Sequence, residues 1–307
     1  MPISAWHCFL IIFLLLRAGI AEANPGAYFM AIHCDPQWAG EEDWEALEDL
    51  VAAADSRELK LTIQFNPLWA STLQANSGRL IKVSNWVANG HELGGHHHVF
   101  THPGGWDGYS NQTIAQSSPL LVGDMQDWIA DLESALNGAA AVVTVSSKDY
   151  DFPSNVDFQT GGSFSTASPS DAARTPQIVP INGRPVWNLT HAALIAGGVW
   201  QIDDMKDAFL AATGDEVFGA AFHPQDYYEG SRDEVDEWLD FLVSQDSDGA
   251  DSKTAGAILV AFRSGVSTGL PLAGSAGRVG LLIMLLAGAL LALHPLRRRG
   301  KTRSSAP

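Results

Sequence analysis

Cysteine is almost absent from this 307-residue chain, which has only Cys8 and Cys34. Cys8 falls in an N-terminal segment that reads as removable, so the rest of the chain has one thiol and no internal disulfide; its stability must come from a packed core. Basic residues are also scarce. The chain carries 18 Lys and Arg against 35 Asp and Glu, a net charge of −17, and between Asn24 and Ser275 the balance is 11 basic against 34 acidic, or −23. A surface of that sign repels a phosphate backbone, so nucleic acid is not an expected partner. Such a charge keeps a domain soluble and suits an uncharged or cationic ligand without naming one. No repeat of solenoid length is visible, and about 250 residues suffice for one large domain with its own core.

Long apolar runs are missing except at the two ends. Leu10 to Leu16 followed by Ala21-Glu22-Ala23 has the pattern of an export signal cleaved after Ala23, giving residues 1–23 as a signal peptide. Val279 to Leu293 is nearly all Leu, Ile, Ala, Gly and Met, and Arg297-Arg298-Arg299-Gly300-Lys301 follows. This reads as a short transmembrane anchor over 276–296 with a basic cytoplasmic tail over 297–307, which places the main domain outside the cytoplasmic membrane, at the cell envelope. Gly269 to Gly274, the apolar run and the Arg cluster together resemble a tripartite C-terminal sorting signal.

Between the ends, strand-like and helix-like segments alternate. Ala27 to His33, Leu59 to Phe65, Ala139 to Val145 and Val217 to Phe222 read as buried strands. Glu41 to Ala54, Arg79 to Ala88, Leu120 to Leu136, Asp203 to Ala212 and Val235 to Val243 read as helices. The rhythm predicts an α/β domain over 24–245, with parallel strands in a barrel or an open sheet. The Ser-, Gly- and Pro-rich Asp149 to Pro185 reads as a long loop on the substrate side, and 246–275 as a linker.

The chemistry concentrates in Gly90-His91-Glu92-Leu93-Gly94-Gly95-His96-His97-His98-Val99-Phe100-Thr101-His102-Pro103, where five of the ten histidines lie within twelve residues. Imidazole is the commonest transition-metal ligand, and several on one loop reach the same ion without distant chain closure. A carboxylate must come from elsewhere. Asp35, at the end of the first strand, stands where parallel α/β domains place their chemistry, although a turn Asp before Pro36 has the same signature. His223 follows the Val217 to Phe222 strand and suits an acid, a ligand or a plain strand-end histidine. Trp106, Asp107 and Tyr109 after the His loop, and Trp69 after the second strand, suit contact with a sugar; aromatics are also common in cores.

These stretches resemble the polysaccharide deacetylases, the NodB-like carbohydrate esterases. Gly90 to His96 is similar to the Gly-His-Glu-Ile-Gly-x-His that opens their metal motif, and Thr101-His102-Pro103 to its Ser/Thr-His-Pro close. Ile32-His33-Cys34-Asp35 stands in the place of their Thr-Phe-Asp-Asp, and Ala221-Phe222-His223-Pro224 in the place of their late histidine motif. The likeness spans Ala27 to Val243 and implies a distorted or incomplete (β/α) barrel. It also implies a divalent metal, zinc by default, on Asp35, His102 and one or both of His96 and His98, and His223 as general acid. The implied substrate is an N- or O-acetylated polysaccharide.

Two departures stand out. The family's paired histidines are four residues apart, a spacing kept by His98 and His102 but not by His96 and His102. Cys34 stands where the family has its general-base Asp, so that His33, His97 or Asp107 would substitute, or Cys34 would serve as a soft ligand. A non-catalytic metal- or glycan-binding protein on the same scaffold is the competing expectation.

Overall fold

The computed structural model describes residues 24–102, 105–137, 139, 142–148, 150–161, 172–193, 201–228 and 232–265. The expected signal peptide, transmembrane anchor and basic tail lie outside the described residues. Among those described, no helix is long and apolar enough to cross a membrane.

The centre is a curled sheet. Strands β1 (Ala27–His33), β2 (Leu61–Phe65), β3 (Glu92–His96), β4 (Val145–Ser146), β5 (Phe158–Thr160) and β8 (Arg184–Leu189) lie side by side and parallel, and β10 (Val217–Phe222) runs parallel to β1 on its other edge. Two short antiparallel strands border this set: β6 (Ala173–Arg174) on β10 and β7 (Gln177–Ile181) on β8. β9 (Ala192–Ala193) begins just after β8 ends and pairs with β10. One stretch of chain, 184–193, therefore borders both ends of the sheet, and the barrel is distorted at that seam. Gly219 is required there, because a Cβ on it would lie 2.3 Å from the Thr190 carbonyl oxygen.

Helices α1 (Glu41–Asp55), α2 (Pro67–Gln74), α3 (Ser77–Ala88), α4 (Met125–Ala135), α5 (Ile202–Ala211) and α6 (Arg232–Gln245) cover the outside. β1 shows how the faces divide. Tyr28, Met30, Ile32 and Cys34 point into the large core under these helices, with Leu47, Trp69, Trp128 and Trp238. Ala27, Phe29 and Ala31 point inward, to a smaller cluster with Phe158, Leu189 and Val217, as the two-residue period of a strand demands.

The rhythm read from the sequence holds for β1, β2, β10 and the five expected helices, with ends shifted by a few residues; the helix expected from Leu120 begins only at Met125, behind its Asp124 cap. Three expectations fail. Of Ala139 to Val145, only Val145 is in a strand among the described residues, as the first residue of the two-residue β4. The supposed loop from Asp149 to Pro185 contains β5, β6 and β7 and the start of β8. Its β7–β8 hairpin turns at Asn182-Gly183, both with positive φ, a turn pair with a known preference for such conformations. The supposed linker forms helix α7 (Ala255–Ser264), whose Ala255, Ile258 and Leu259 join the inner cluster. The domain therefore continues past residue 245.

α7 enters the barrel by its N-terminus. Gly256 N donates to Glu92 Oε2 at 2.8 Å, Ala255 N donates to Thr62 Oγ1 at 2.9 Å, and Thr254 caps the helix. Glu92 also accepts from Thr144 Oγ1 at 2.8 Å, so both of its oxygens are partnered. The strand starts of the barrel are closed by this plug.

Candidate metal centre

At the opposite end, the ends of the parallel strands converge on a cavity of about 250 Å³ lined by seven histidines: His33, His96, His97, His98, His102, His191 and His223. Asp35 is the carboxylate in its lining. His33 and His96 end their strands, whereas Asp35, His191 and His223 follow β1, β8 and β10 within two residues.

Three groups draw together. Asp35 Oδ1 lies 3.0 Å from His98 Nε2 and 3.2 Å from His96 Nε2, and the two Nε2 atoms are 3.0 Å apart. His98 Nδ1 is 2.8 Å from the Gly105 carbonyl oxygen, which can only accept, so Nδ1 carries the proton. The Nε2 of a neutral His98 then presents a lone pair to a carboxylate oxygen and to another imidazole. Two acceptors at 3.0 Å repel unless a proton or a cation lies between them. Asp35, His96 and His98 are all buried and meet the spacing of a metal site, and imidazole with carboxylate is a donor set that zinc accepts. These residues fit a divalent ion.

The electrostatics agree. Burial would raise the Asp35 pKa, but the adjacent imidazoles of His96, His98 and His223 hold the carboxyl well below its usual range. Burial pushes His96 down to about 4 against the pull of Asp35, so its ring is neutral at physiological pH and keeps a lone pair. His102 differs from the expectation. It lies outside the converging trio, more exposed, with its ring 4.0 Å from that of His98, and it too is pushed down to about 4 by burial. His98 stands beside His96 in the converging group.

The backbone explains the convergence. His96 and His98 face the cavity, and the intervening His97 turns its Nδ1 to Asp107 Oδ2 at 2.9 Å. Asp107, with a fully buried side chain, also accepts from Trp128 Nε1 at 2.9 Å and His98 N at 3.3 Å. It anchors the loop and does not present itself to a substrate as the sequence suggested. His97 is raised to about 9; burial opposes this, and Asp107 followed by Asp151 supplies it. Gly95 lets the strand pass under Trp128, since a Cβ would come within 2.4 Å of that ring. His91, the first histidine of the motif, is no part of the cavity: its Nδ1 accepts from Leu61 N at 3.0 Å and its Nε2 meets Asp55 at 3.1 Å.

His223 faces the trio from β10, its Nε2 3.8 Å from Asp35 Oδ1 and its Nδ1 3.2 Å from Asp226 Oδ2. Burial lowers its pKa, but Asp226 and Asp35 more than offset this and raise it. Cys34 points away. It is buried in the outer core, where desolvation raises the thiol pKa well above its ordinary value, and the alternation of β1 puts His33 on the cavity side instead. Trp69 is fully buried and donates Nε1 to the Asp35 carbonyl at 2.8 Å, and Tyr109 is buried with its hydroxyl on Asp131. Neither is a platform for a sugar; Trp106 keeps partial exposure, with Nε1 bonded to the Tyr109 carbonyl.

His191 is the residue that sequence reading missed. Its signal was the one that found His223, a histidine after an apolar strand, but β8 lies beside a segment read as loop.

No family model matches the chain, and the search of curated proteins returned no match. Solved structures with a similar fold include a Mycobacterium smegmatis protein assigned as a polysaccharide deacetylase, at 9% identity and TM-score 0.47, covering 80% of this chain and 96% of that one. A Pseudomonas aeruginosa PAO1 protein with the same assignment has 12% identity and TM-score 0.46, with 75% and 76% covered. A carbohydrate esterase family 4 pseudoenzyme from Bacillus anthracis has 13% identity and TM-score 0.41, with 76% and 64% covered. The chemistry rests on the cavity itself.

Proposed function

We propose that this chain is a metal-dependent hydrolase that removes acetyl groups from an N- or O-acetylated polysaccharide at the cell envelope. The observation that carries the reading is the convergence of Asp35, His96 and His98 at the strand ends, with His223 3.8 Å from Asp35 on the far side. Asp35 Oδ1 and the two Nε2 atoms would hold the ion, zinc by the mixed imidazole and carboxylate set. Bound there, it supplies polarisation of the acyl carbonyl and a water acidified toward neutrality.

The remaining work falls to the chain. Gly105 fixes the His98 imidazole through its Nδ1, and Asp107 anchors the loop through His97 and the His98 backbone N–H. Asp226 holds the Nδ1 proton of His223, which leaves Nε2 to carry a proton into the cavity and deliver it to the departing amine or alcohol. Trp106 is the aromatic of the expected set able to meet a sugar ring. The sequence of the two chain ends supports an extracytoplasmic, membrane-anchored placing.

One observation favours the non-catalytic reading: Asp35 is the one carboxylate in the described cavity lining, and Cys34 is turned out of it. Among the described lining residues no second carboxylate takes the part of a base. Acetate release by the zinc-loaded full-length chain from N-acetylglucosamine oligomers and O-acetylated xylan separates the two. Hydrolysis predicts release that a chelator abolishes and zinc restores, and a His223→Ala loss of about 10²–10⁴-fold with metal content unchanged. No release from any acetylated glycan would leave a binding protein, and unchanged turnover in His223→Ala would remove the acid.

A further inference from the structure

The converging trio uses two of the seven cavity histidines, and three others are engaged in ways that can be named. His97 is held by Asp107, His223 by Asp226, and the His102 ring lies tilted against that of His98. His33 and His191 remain. Both are buried, at 6% and 1% exposure, and both line the cavity. His33 Nε2 and both ring nitrogens of His191 have no hydrogen-bond partner. Their ring centroids are 5.0 Å apart at 75°, and His33 lies flat against His96 at 4.1 Å.

We infer that His33 and His191 form a second transition-metal subsite beside the first. An imidazole nitrogen buried without a partner costs about 1–3 kcal/mol, and two such rings facing one cavity recover it only through something bound there. Neutral imidazoles are the ligands that zinc, copper and nickel prefer. For a metal about 2.0–2.1 Å from one nitrogen of each ring, rings whose centroids are 5.0 Å apart are close enough to share one ion. Two protein ligands leave the other positions to solvent or to a substrate oxygen, so this ion binds more weakly than the first. Chain geometry fixes the pair. His33 ends β1, while His191 sits in the short link from β8 to β9, its Cε1 only 2.3 Å from where a Cβ on Gly161 would be. Gly161, with φ +80°, leaves room for that ring.

A second ion does not depend on the hydrolase reading and is tested without an activity. The full-length chain is dialysed to equilibrium against zinc, and bound metal is counted by elemental analysis, with cobalt absorption as an independent count of centres. Two equivalents are expected for the unaltered chain. His191→Ala should keep one, and a double Asp35→Asn, His98→Ala variant should keep the other. Saturation of the unaltered chain at one equivalent overturns the proposal without any variant, so it stands or falls even if His191→Ala does not fold. Retention of two equivalents by a folded His191→Ala chain overturns it as well.

Discussion

Strand β3 carries a buried polar residue at each end, about 13 Å apart at a rise of about 3.3 Å per residue, and the two have opposite surroundings. Glu92, at the strand start, is desolvated, and each of its oxygens accepts a hydrogen bond, from Thr144 and from the first turn of α7. His96, at the strand end, meets Asp35 among imidazoles whose nitrogens lack partners. Burial of a carboxyl group does not mark a site, since Glu92 and Asp35 share it. What differs is satisfaction. At Glu92 the protein completes every bond and the group is structural, whereas at Asp35 acceptors face acceptors and the arrangement is complete only with a cation.

The largest effect is expected from Cys34→Asp. If the partners decide what a carboxylate does, an Asp placed one residue before Asp35, on the opposite face of β1, gains no chemistry. It becomes an unpaired charge in the outer core and should cost about 3–5 kcal/mol of stability. A fully stable Cys34→Asp chain with increased turnover would show that this position faces the cavity. Next, Asp35→Asn keeps the shape and removes the charge. Metal affinity should fall at least about 10²-fold, because even outer partners of ligands are worth about 10–100-fold; Glu92→Gln should leave it unchanged. Gly95→Ala should lose about 1–3 kcal/mol as the new methyl meets Trp128, read as a lowered urea midpoint.

Much of this was legible in the sequence, and the failures have physical causes. Asp35, His96, His98 and His223, read from strand ends and a dense His loop, do come together in one cavity. His102 lines the same cavity but stands outside the group formed by Asp35, His96 and His98, a separation that depends on loop contacts such as the Asp107 anchor, which no spacing reveals. Cys34 and His33 were ordered correctly along the chain, but their faces follow from the alternation of β1, which assigns the cavity to His33. Trp69 and Tyr109 were equally good as platform or core until packing chose. α7 was hidden by an acidic, Gly-containing approach from Asp246 to Lys253 that resembles a linker.

The smallest effects concern pH, away from the metal ligands. Burial raises the Glu92 pKa above its ordinary value of 4.5. The unfolded chain therefore gives up this proton first as pH rises, and the contribution of Glu92 is full below 4.5 and lost at higher pH. Glu92→Gln, whose amide can serve both Gly256 N and Thr144, should gain stability relative to the unaltered chain as pH rises above 4.5. His91 has the opposite sign. Burial lowers its pKa from 6.5 against the pull of Asp55, so its contribution is present above 6.5 and is lost as pH falls, when protonation of Nδ1 breaks the bond from Leu61 N. His91→Asn should flatten the acid side of the thermal midpoint profile, and an unchanged slope would remove His91 as its source.

The most direct test of the central claim is a zinc-soaked crystal of the full-length chain with data at the zinc absorption edge. The account predicts an anomalous peak about 2.0–2.2 Å from Asp35 Oδ1, His96 Nε2 and His98 Nε2, with His102 outside its ligand set. A cavity without that peak, or an ion held by His102 in place of His96 or His98, would contradict it.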